Sequence, residues 1–142
     1  RILSGGGLTF NGDTAQANAL DDYEEGDWNI TNNGDSTGVI ASSHCKYTKI
    51  GRVVICHFVI MISTNFTGST LGGLPFNPAN KAGSPSGVHS IIPVRSGGSG
   101  SVFFQINSGT DTISTLSSTG ATSLATLTTG SDPYRGTFTY QI

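Results

Sequence analysis

The chain has 142 residues, with seven Lys and Arg, nine Asp and Glu and a formal net charge of −2, a length that fits one domain with at most a short appendage. Charged residues are 11% of the chain against roughly 25% in ordinary soluble domains, and the basic ones stand singly, so there is no electrostatic footprint for nucleic acid. No apolar segment reaches the ~20 residues of a membrane-inserted helix, while the 20 glycines are about twice average usage and, with a polar load of Ser, Thr and Asn, point to a β protein rich in turns.

Arg1–Thr14 is Gly-rich and shows no sustained period. Ile2, Leu3, Leu8 and Phe10 have little nearby to cover them within one chain, so they are expected to pack about an oligomer axis. The chain starts at Arg1 without the charged n-region and apolar h-region of a signal peptide, and it reads as a piece of something longer. Asp13–Glu25 is the segment with helical character. Asp13 can cap it, Gln16 completes a box-like start, and Ala15, Ala17, Ala19 and Leu20 favour helix. Asp21, Asp22, Glu24 and Glu25 oppose the macrodipole at a C-terminus, so a short helix ending at Gly26 is predicted, with its acidic groups in solvent. Leu20 and Tyr23 form a narrow apolar stripe on it, expected to meet the domain or sister chains. Residues 1–26 thus read as a stem, and 27–142 as a head.

From Asp27 onward the signal is β. Strands are predicted at Asp27–Thr31, Gly38–Ala41, His44–Thr48, Arg52–Ser63, Ser69–Gly72, Val88–Val94, Ser101–Asn107, Thr112–Leu116, Ala121–Leu127 and Arg135–Ile142. Turn clusters separate them at Asn32–Thr37, Lys49–Gly51, Asn77–Gly87, Ser96–Gly100 and Thr129–Pro133. This spacing argues an all-β, antiparallel sandwich or barrel-like fold. Nothing repeats at a fixed period, which excludes a solenoid or propeller.

Arg52–Ile62 is apolar on both faces: Val54, Cys56, Phe58, Ile60 and Ile62 on one, Val53, Ile55, His57, Val59 and Met61 on the other. Burial on both sides is expected, one against the core and one at a subunit interface. For Cys45 and Tyr47 to share the core face with Val54, Cys56 and Phe58, odd residues must pair with even ones. A loop spanning Lys49–Arg52 does this and sets Thr48 opposite Val53, Cys45 opposite Cys56 and His44 opposite His57. Cysteines directly across an antiparallel pair bridge only with strain. Alternation sends the Cys pair and the His pair to opposite faces, so no metal site forms there, and no cofactor is expected.

Catalysis finds no foothold. The carboxylates crowd into the stem or stand alone in turns, without the paired acid and base of a glycan hydrolase. There is no G-x-S-x-G, Walker-type loop or HExxH. Binding is the better reading: Asn and Asp can bond sugar hydroxyls, and an aromatic ring can stack on a sugar, from loops held by a β scaffold. The candidates for receptor or carbohydrate contact are Asn32, Asn33 and Asp35, then Asn107 and Asp111, then Asp132 with Tyr134. The same residue types are also ordinary turn formers. Trp28, Tyr47, Phe58, Phe103 or Phe104, and Phe138 are expected in the core.

Four phrases occur in order: Ser4–Thr14 (SGGGLTFNGDT), Ala19–Trp28 (ALDDYEEGDW), Tyr47–Val54 (YTKIGRVV) and Gly73–Phe76 (GLPF). Their order and spacing resemble the C-terminal region of bacteriophage tail-fibre and related virion-fibre proteins, where a short stem with an LDDYEEG-W signature leads into an all-β head. The match runs from Ser4 to Phe76, about half of the chain. It implies a jelly-roll-like head, a homotrimer with Leu8, Phe10, Leu20 and Tyr23 at the interface, and a place on the virion. It also implies other fibre or tail proteins as partners of the stem, and a bacterial surface glycan or protein as the partner of the head. Assembly in a reducing cytosol implies free thiols. Asp27 stands where a small hydroxyl residue is more usual, and Cys45, Cys56 and His57 also depart from the pattern, so no particular binding site transfers. A structural capsid or collar fibre, an adaptor, and a lectin-like module are the other readings.

Overall fold

The computed structural model describes residues 8, 9, 12, 14, 15, 22–33, 38–65, 70–80, 88–94, 102–117, 127, 129 and 132–142. Among these the chain is all-β: β1 (Tyr23–Trp28), β2 (Thr31–Asn33), β3 (Val39–Ile50), β4 (Val53–Thr64), β5 (Thr70–Gly72), β6 (Val88–Val94), β7 (Val102–Asn107), β8 (Ile113–Ser117) and β9 (Tyr134–Gln141). They form two antiparallel sheets, a four-stranded one in the order β1-β3-β4-β9 and a five-stranded one in the order β2-β5-β8-β7-β6. Asn29 and Ile30 carry the chain from the first sheet to the second, and β5–β8 take a Greek-key order within the second.

The longest pairing is the β3–β4 hairpin. Its turn is the two residues Gly51 and Arg52, with Ile50 opposite Val53, and Gly51 sits at φ +56°. Glycine adopts that conformation without penalty, which makes a two-residue hairpin turn available. The longer loop expected over Lys49–Arg52 is therefore not used. Tyr47 lies opposite Cys56, Cys45 opposite Phe58, His44 opposite Val59 and Lys46 opposite His57. The slip along β4 is two residues, so every side chain keeps its expected face while its partner changes. The two predicted strands Gly38–Ala41 and His44–Thr48 merge into β3, with an irregularity in the pairing between Val39 and Ser42.

The predicted helix is overturned where it can be checked. Tyr23, Glu24 and Glu25 are in β1, paired with Ile50, Lys49 and Thr48, and Thr14 and Ala15 are not helical. The macrodipole argument against acidic residues at this end points the right way, and β3 supplies the competing partner. The expected division at residue 26 falls inside β1, so Tyr23–Gly26 belong to the sheet. Phe10, Leu20, Asp35 and most of the predicted strand Ala121–Leu127 lie outside the described residues; Leu127 itself is buried.

The core fills the space between the sheets. Phe58 of β4 stacks on Phe104 of β7, with ring centroids 5.3 Å apart. Phe138 of β9 joins it, tilted against Phe58, edge-on to Trp28 and stacked on Tyr140. Val54, Ile60 and Ile62 from β4, Leu71 from β5 and Ile106 and Ile113 from β7 and β8 complete it. Each such side chain contributes about 1.5–3 kcal/mol on burial, and each aromatic pair about 0.5–1.5 kcal/mol more.

Cys45 and Cys56 are free thiols buried in this core. Burial pushes Cys56 up to about 12, and it also raises Tyr140 and Cys45. These groups are neutral when protonated, and the fold holds their protons more tightly than the unfolded chain does. Their contribution is complete below the ordinary thiol range and is lost as pH rises through it towards the folded value. Thermal melts should thus show Tm constant below the thiol range and falling above about pH 9, with a slope of about 1.4 kcal/mol per pH unit for each titrating group. Cys56→Ala should lower Tm overall but flatten that alkaline slope; an unchanged slope would show that Cys56 is not the group responsible.

Candidate functional site

Of the phrases that stood out in the sequence, the described residues of ALDDYEEGDW, YTKIGRVV and GLPF come together at the first sheet. β1 is an edge strand whose acidic residues meet the basic and phenolic residues of β3. Lys49 Nζ donates to Asp22 Oδ1, Tyr47 OH donates to Glu24 Oε1, and Lys46 pairs with Asp27. The Glu24 hydrogen bond raises the Tyr47 phenol above its ordinary pKa, with burial a smaller cause; Tyr23 is raised in the same way by Glu25. Lys49 is buried, and its ammonium lies 5.6 Å from the centre of the Phe76 ring. Asp22, Glu24 and Glu25 are exposed, as expected, and Asp22 and Glu24 also partner Lys49 and Tyr47 of β3. The surface pairs contribute little each, whereas Lys49, with its stem buried and its charge answered by Asp22 and Phe76, is held on all sides.

Two glycines make this arrangement fit. A Cβ on Gly26 would stand 2.9 Å from the Tyr47 ring, so the hydroxyl end of that ring sits where only a bare backbone leaves room. Gly73 is at φ +87°, and a Cβ there would stand 2.1 Å from the Asn29 carbonyl oxygen. After Gly73 the chain runs as a strap over the end of the core. Leu74 is buried, and Phe76 packs edge-on against Tyr47 at 5.4 Å. Tyr140 OH donates to the Phe76 carbonyl at 2.9 Å, and Ala79 N donates to the Gln141 carbonyl at 2.8 Å. The β7–β8 turn closes on the same strap, with Gly109 N donating to the Pro78 carbonyl and Ser108 Oγ to the Ala79 carbonyl.

The residues predicted for receptor contact do not form one cluster. Asn107 ends β7 and is half-buried, its amide donating to Thr112 Oγ1 and Ser114 Oγ, both at 3.0 Å. Asp111 is exposed in the following turn, beside the strap. Asp132 is exposed before the other end of β9, eight residues long, which sets it roughly 25 Å away along that strand. Tyr134 is only 2% exposed and faces the core, which corrects its reading as a stacking platform: alternation along β9 turns it inward with Phe138 and Tyr140. Asn32 and Asn33 lie in the edge strand β2 rather than in a turn, and Asn32 Nδ2 donates to the Gly38 carbonyl at 2.8 Å.

The outer face of the four-stranded sheet is the second notable surface. The expectation that β4 is buried on both sides fails within the single chain: Val53 is 36% and Ile55 40% exposed. Val53 is flanked across the sheet by Ile50 and then Tyr23, both exposed. Further along β4, Val59 and Met61 are half-buried. Leu8 is also exposed. Two shallow grooves, about 350 and 310 Å³, lie along β1 and β3 on either side of the Asp27–Lys46 pair. Among the described residues, no group of three or more His, Cys, Asp or Glu is placed to hold a metal ion, and no helix is long and apolar enough to cross a membrane.

The glycine geometry sets an order of effects. Gly73→Ala should cost at least about 2 kcal/mol in urea unfolding, because the backbone conformation and a fixed carbonyl both oppose it. Gly26→Ala should cost less, since the Tyr47 ring can swing away, and Tyr47→Ala should largely remove that penalty when the two are combined. Equal costs for both glycines, or no coupling between Gly26 and Tyr47, would refute the assigned contacts.

No protein-family model matches this chain, and no curated protein or solved structure matches it.

Proposed function

We propose that this chain is the distal domain of a bacteriophage tail fibre: a non-enzymatic structural virion protein, assembled as a homotrimer, that attaches to a bacterial surface polysaccharide or protein. The observation that carries the reading is the open apolar band of Tyr23, Ile50, Val53 and Ile55 on the outer face of the four-stranded sheet. A contiguous exposed apolar band of this kind marks an interaction surface, and a closed assembly about a symmetry axis covers it without leaving a free edge for further growth. The resemblance of Ser4–Phe76 to virion-fibre heads supplies the kind of assembly. Among the described residues of that stretch, Gly26 lies under Tyr47, Lys49 against Asp22 and Phe76 against Tyr47.

The fold reading that goes with this function is a β-sandwich of jelly-roll type. Two sheets facing each other over one core, and the Greek-key order of β5–β8, support the sandwich. The residues before β1 would serve as the stem that joins the rest of the fibre and other virion proteins. Attachment would be multivalent: sites of about millimolar affinity, repeated around a three-fold axis and over several fibres, gain avidity without new contacts. One observation favours the second reading, a capsid or collar fibre or an adaptor with no receptor: the predicted contact residues are split between the two ends of β9 rather than gathered at one tip.

Light scattering on the purified chain should give three times the chain mass. Val53→Asp with Ile55→Asp should yield a β-folded monomer, because charges enter the apolar band while the core face of β4 is untouched. A wild-type monomer would overturn the trimer. Adsorption of the trimer to a panel of bacterial strains then separates the two readings: saturable adsorption favours the receptor-binding head, and none to any strain favours the structural component.

A further inference from the structure

Charge is unevenly divided between the two sheets. The strands of the four-stranded sheet carry Glu24, Glu25, Asp27, Lys46, Lys49 and Arg135, whereas those of the five-stranded sheet carry no Asp, Glu, Lys or Arg. Alternation in β7 and β8 turns Phe104, Ile106, Ile113 and Thr115 into the core and leaves Phe103, Gln105, Asn107 and Ser114 on the outer face, half-buried. The pairing then sets Asn33, Thr70, Ser114 and Gln105 side by side across four strands. Strands about 4.8 Å apart make this row roughly 14 Å wide, and every member is a neutral amide or hydroxyl.

The row is held from one side. Asn107 spends both amide hydrogens on Thr112 and Ser114, and its oxygen accepts from Gln105 Nε2 at 3.3 Å. That bond orients the Gln105 amide while leaving its oxygen and second N–H without a partner among the described residues. The exposed Asn33 amide likewise has none there. It leans over Gly72, where a Cβ would stand 3.4 Å from its nitrogen. Phe103 lies two positions before Gln105 on the same face, roughly 7 Å away, with Leu116 opposite it.

The chemistry of this surface selects its ligand. A sugar ring presents hydroxyls at its edge, each able to donate and accept, and C–H groups on its face. Amides with one donor and one acceptor side by side match the edge, and an aromatic ring matches the face. Among the described residues an anionic ligand finds no counter-charge on these strands, and an apolar protein surface would leave the row of amides and hydroxyls desolvated and unpaired. We infer that the outer face of β2, β5, β8 and β7 is a platform for a neutral saccharide, with Gln105 and Asn33 bonding ring hydroxyls and Phe103 meeting the C–H face of a sugar. The inference rests on the host-attachment reading above and narrows it to one ligand class and one face, away from the apolar band.

The test is an array of neutral hexose and N-acetylhexosamine oligosaccharides beside sialylated, sulfated and phosphorylated ones, with hits followed by calorimetry. Neutral oligosaccharides should bind, with Kd nearly constant between about 50 and 500 mM salt, since no ion pair is involved. Gln105→Ala and Asn33→Ala should each weaken binding about tenfold, the loss for one unmade hydrogen bond, with Tm nearly unchanged because both side chains point outward. Lys46→Ala, on the other sheet, should leave binding intact. Hits confined to anionic glycans, no hits at all, or hits untouched by both face variants would each overturn the platform. Bacterial adsorption measured in parallel separates the two levels. Adsorption that survives in the Gln105→Ala, Asn33→Ala double variant removes the platform and leaves host attachment standing, and loss of all glycan and cell binding in the wild type removes both.

Discussion

Strand β4 carries apolar side chains on both faces, and within one chain the second sheet covers only the even-numbered set. Val54, Cys56, Phe58, Ile60 and Ile62 are nearly sealed from solvent, and Phe58 among them packs on Phe104 of β7 and Phe138 of β9. The odd set is left with partial cover at Val59 and Met61 and little at Val53 and Ile55. The two faces thus have different fates for one reason: a strand has two sides, and among the described residues one sheet faces it. Burying the even face stabilises the domain, while Val53 and Ile55 on the odd face stay exposed.

Around that strand, the rest of the first sheet is fastened by polar chemistry of an unusual kind for so weakly charged a chain. Most of the charge on the strands is on β1 and β3, where acid meets base or phenol three times over a short stretch. Two of the three partnerships look inward. Tyr47 needs a glycine beneath it, and Lys49 needs an aromatic ring beside it, which the strap supplies as Phe76. A change at any one of these positions is felt by the others, and by Tyr140, which bonds the strap from the far side of the sheet.

Legibility in the sequence followed how local the controlling physics is. Alternation is local, so the core face of β4, the inward Trp28, Phe58 and Phe138, and the antiparallel all-β class could be read directly, whereas the choice between Phe103 and Phe104 was left open and falls on Phe104. The hairpin register could not, because parity fixes the face and leaves the pairing free by two residues; Gly51 at positive φ decides it. The helix predicted to end at Gly26 failed over Tyr23–Glu25 because local propensity carries no knowledge of a partner strand distant in sequence, here Thr48, Lys49 and Ile50 of β3. Turn composition marked Asp111 correctly, while Asn107 is the last residue of β7, and composition could not tell an amide spent on its own turn from one offered outward. Gln105 and Ser114 were hidden for the opposite reason: they sit in strands, where the eye looks for core, and only the registers of β2, β5, β7 and β8 place them in a row.

The same end-to-end arrangement has a mechanical side. Asp22, the Gly51–Arg52 turn and Ile142 are bonded together at one end of the first sheet, Asp22 O to Gly51 N and the Arg52 and Ile142 backbones to each other. β1 runs away from that end with all six of its residues paired to β3. A pull on the chain just before Asp22, resisted at the opposite end of the sheet, acts along the length of β1. Its bonds to β3 are then strained together in shear, where a pull across the strand would part them one at a time as a zipper opens. Resistance to tension is therefore directional, greatest along the axis on which the strand was laid down.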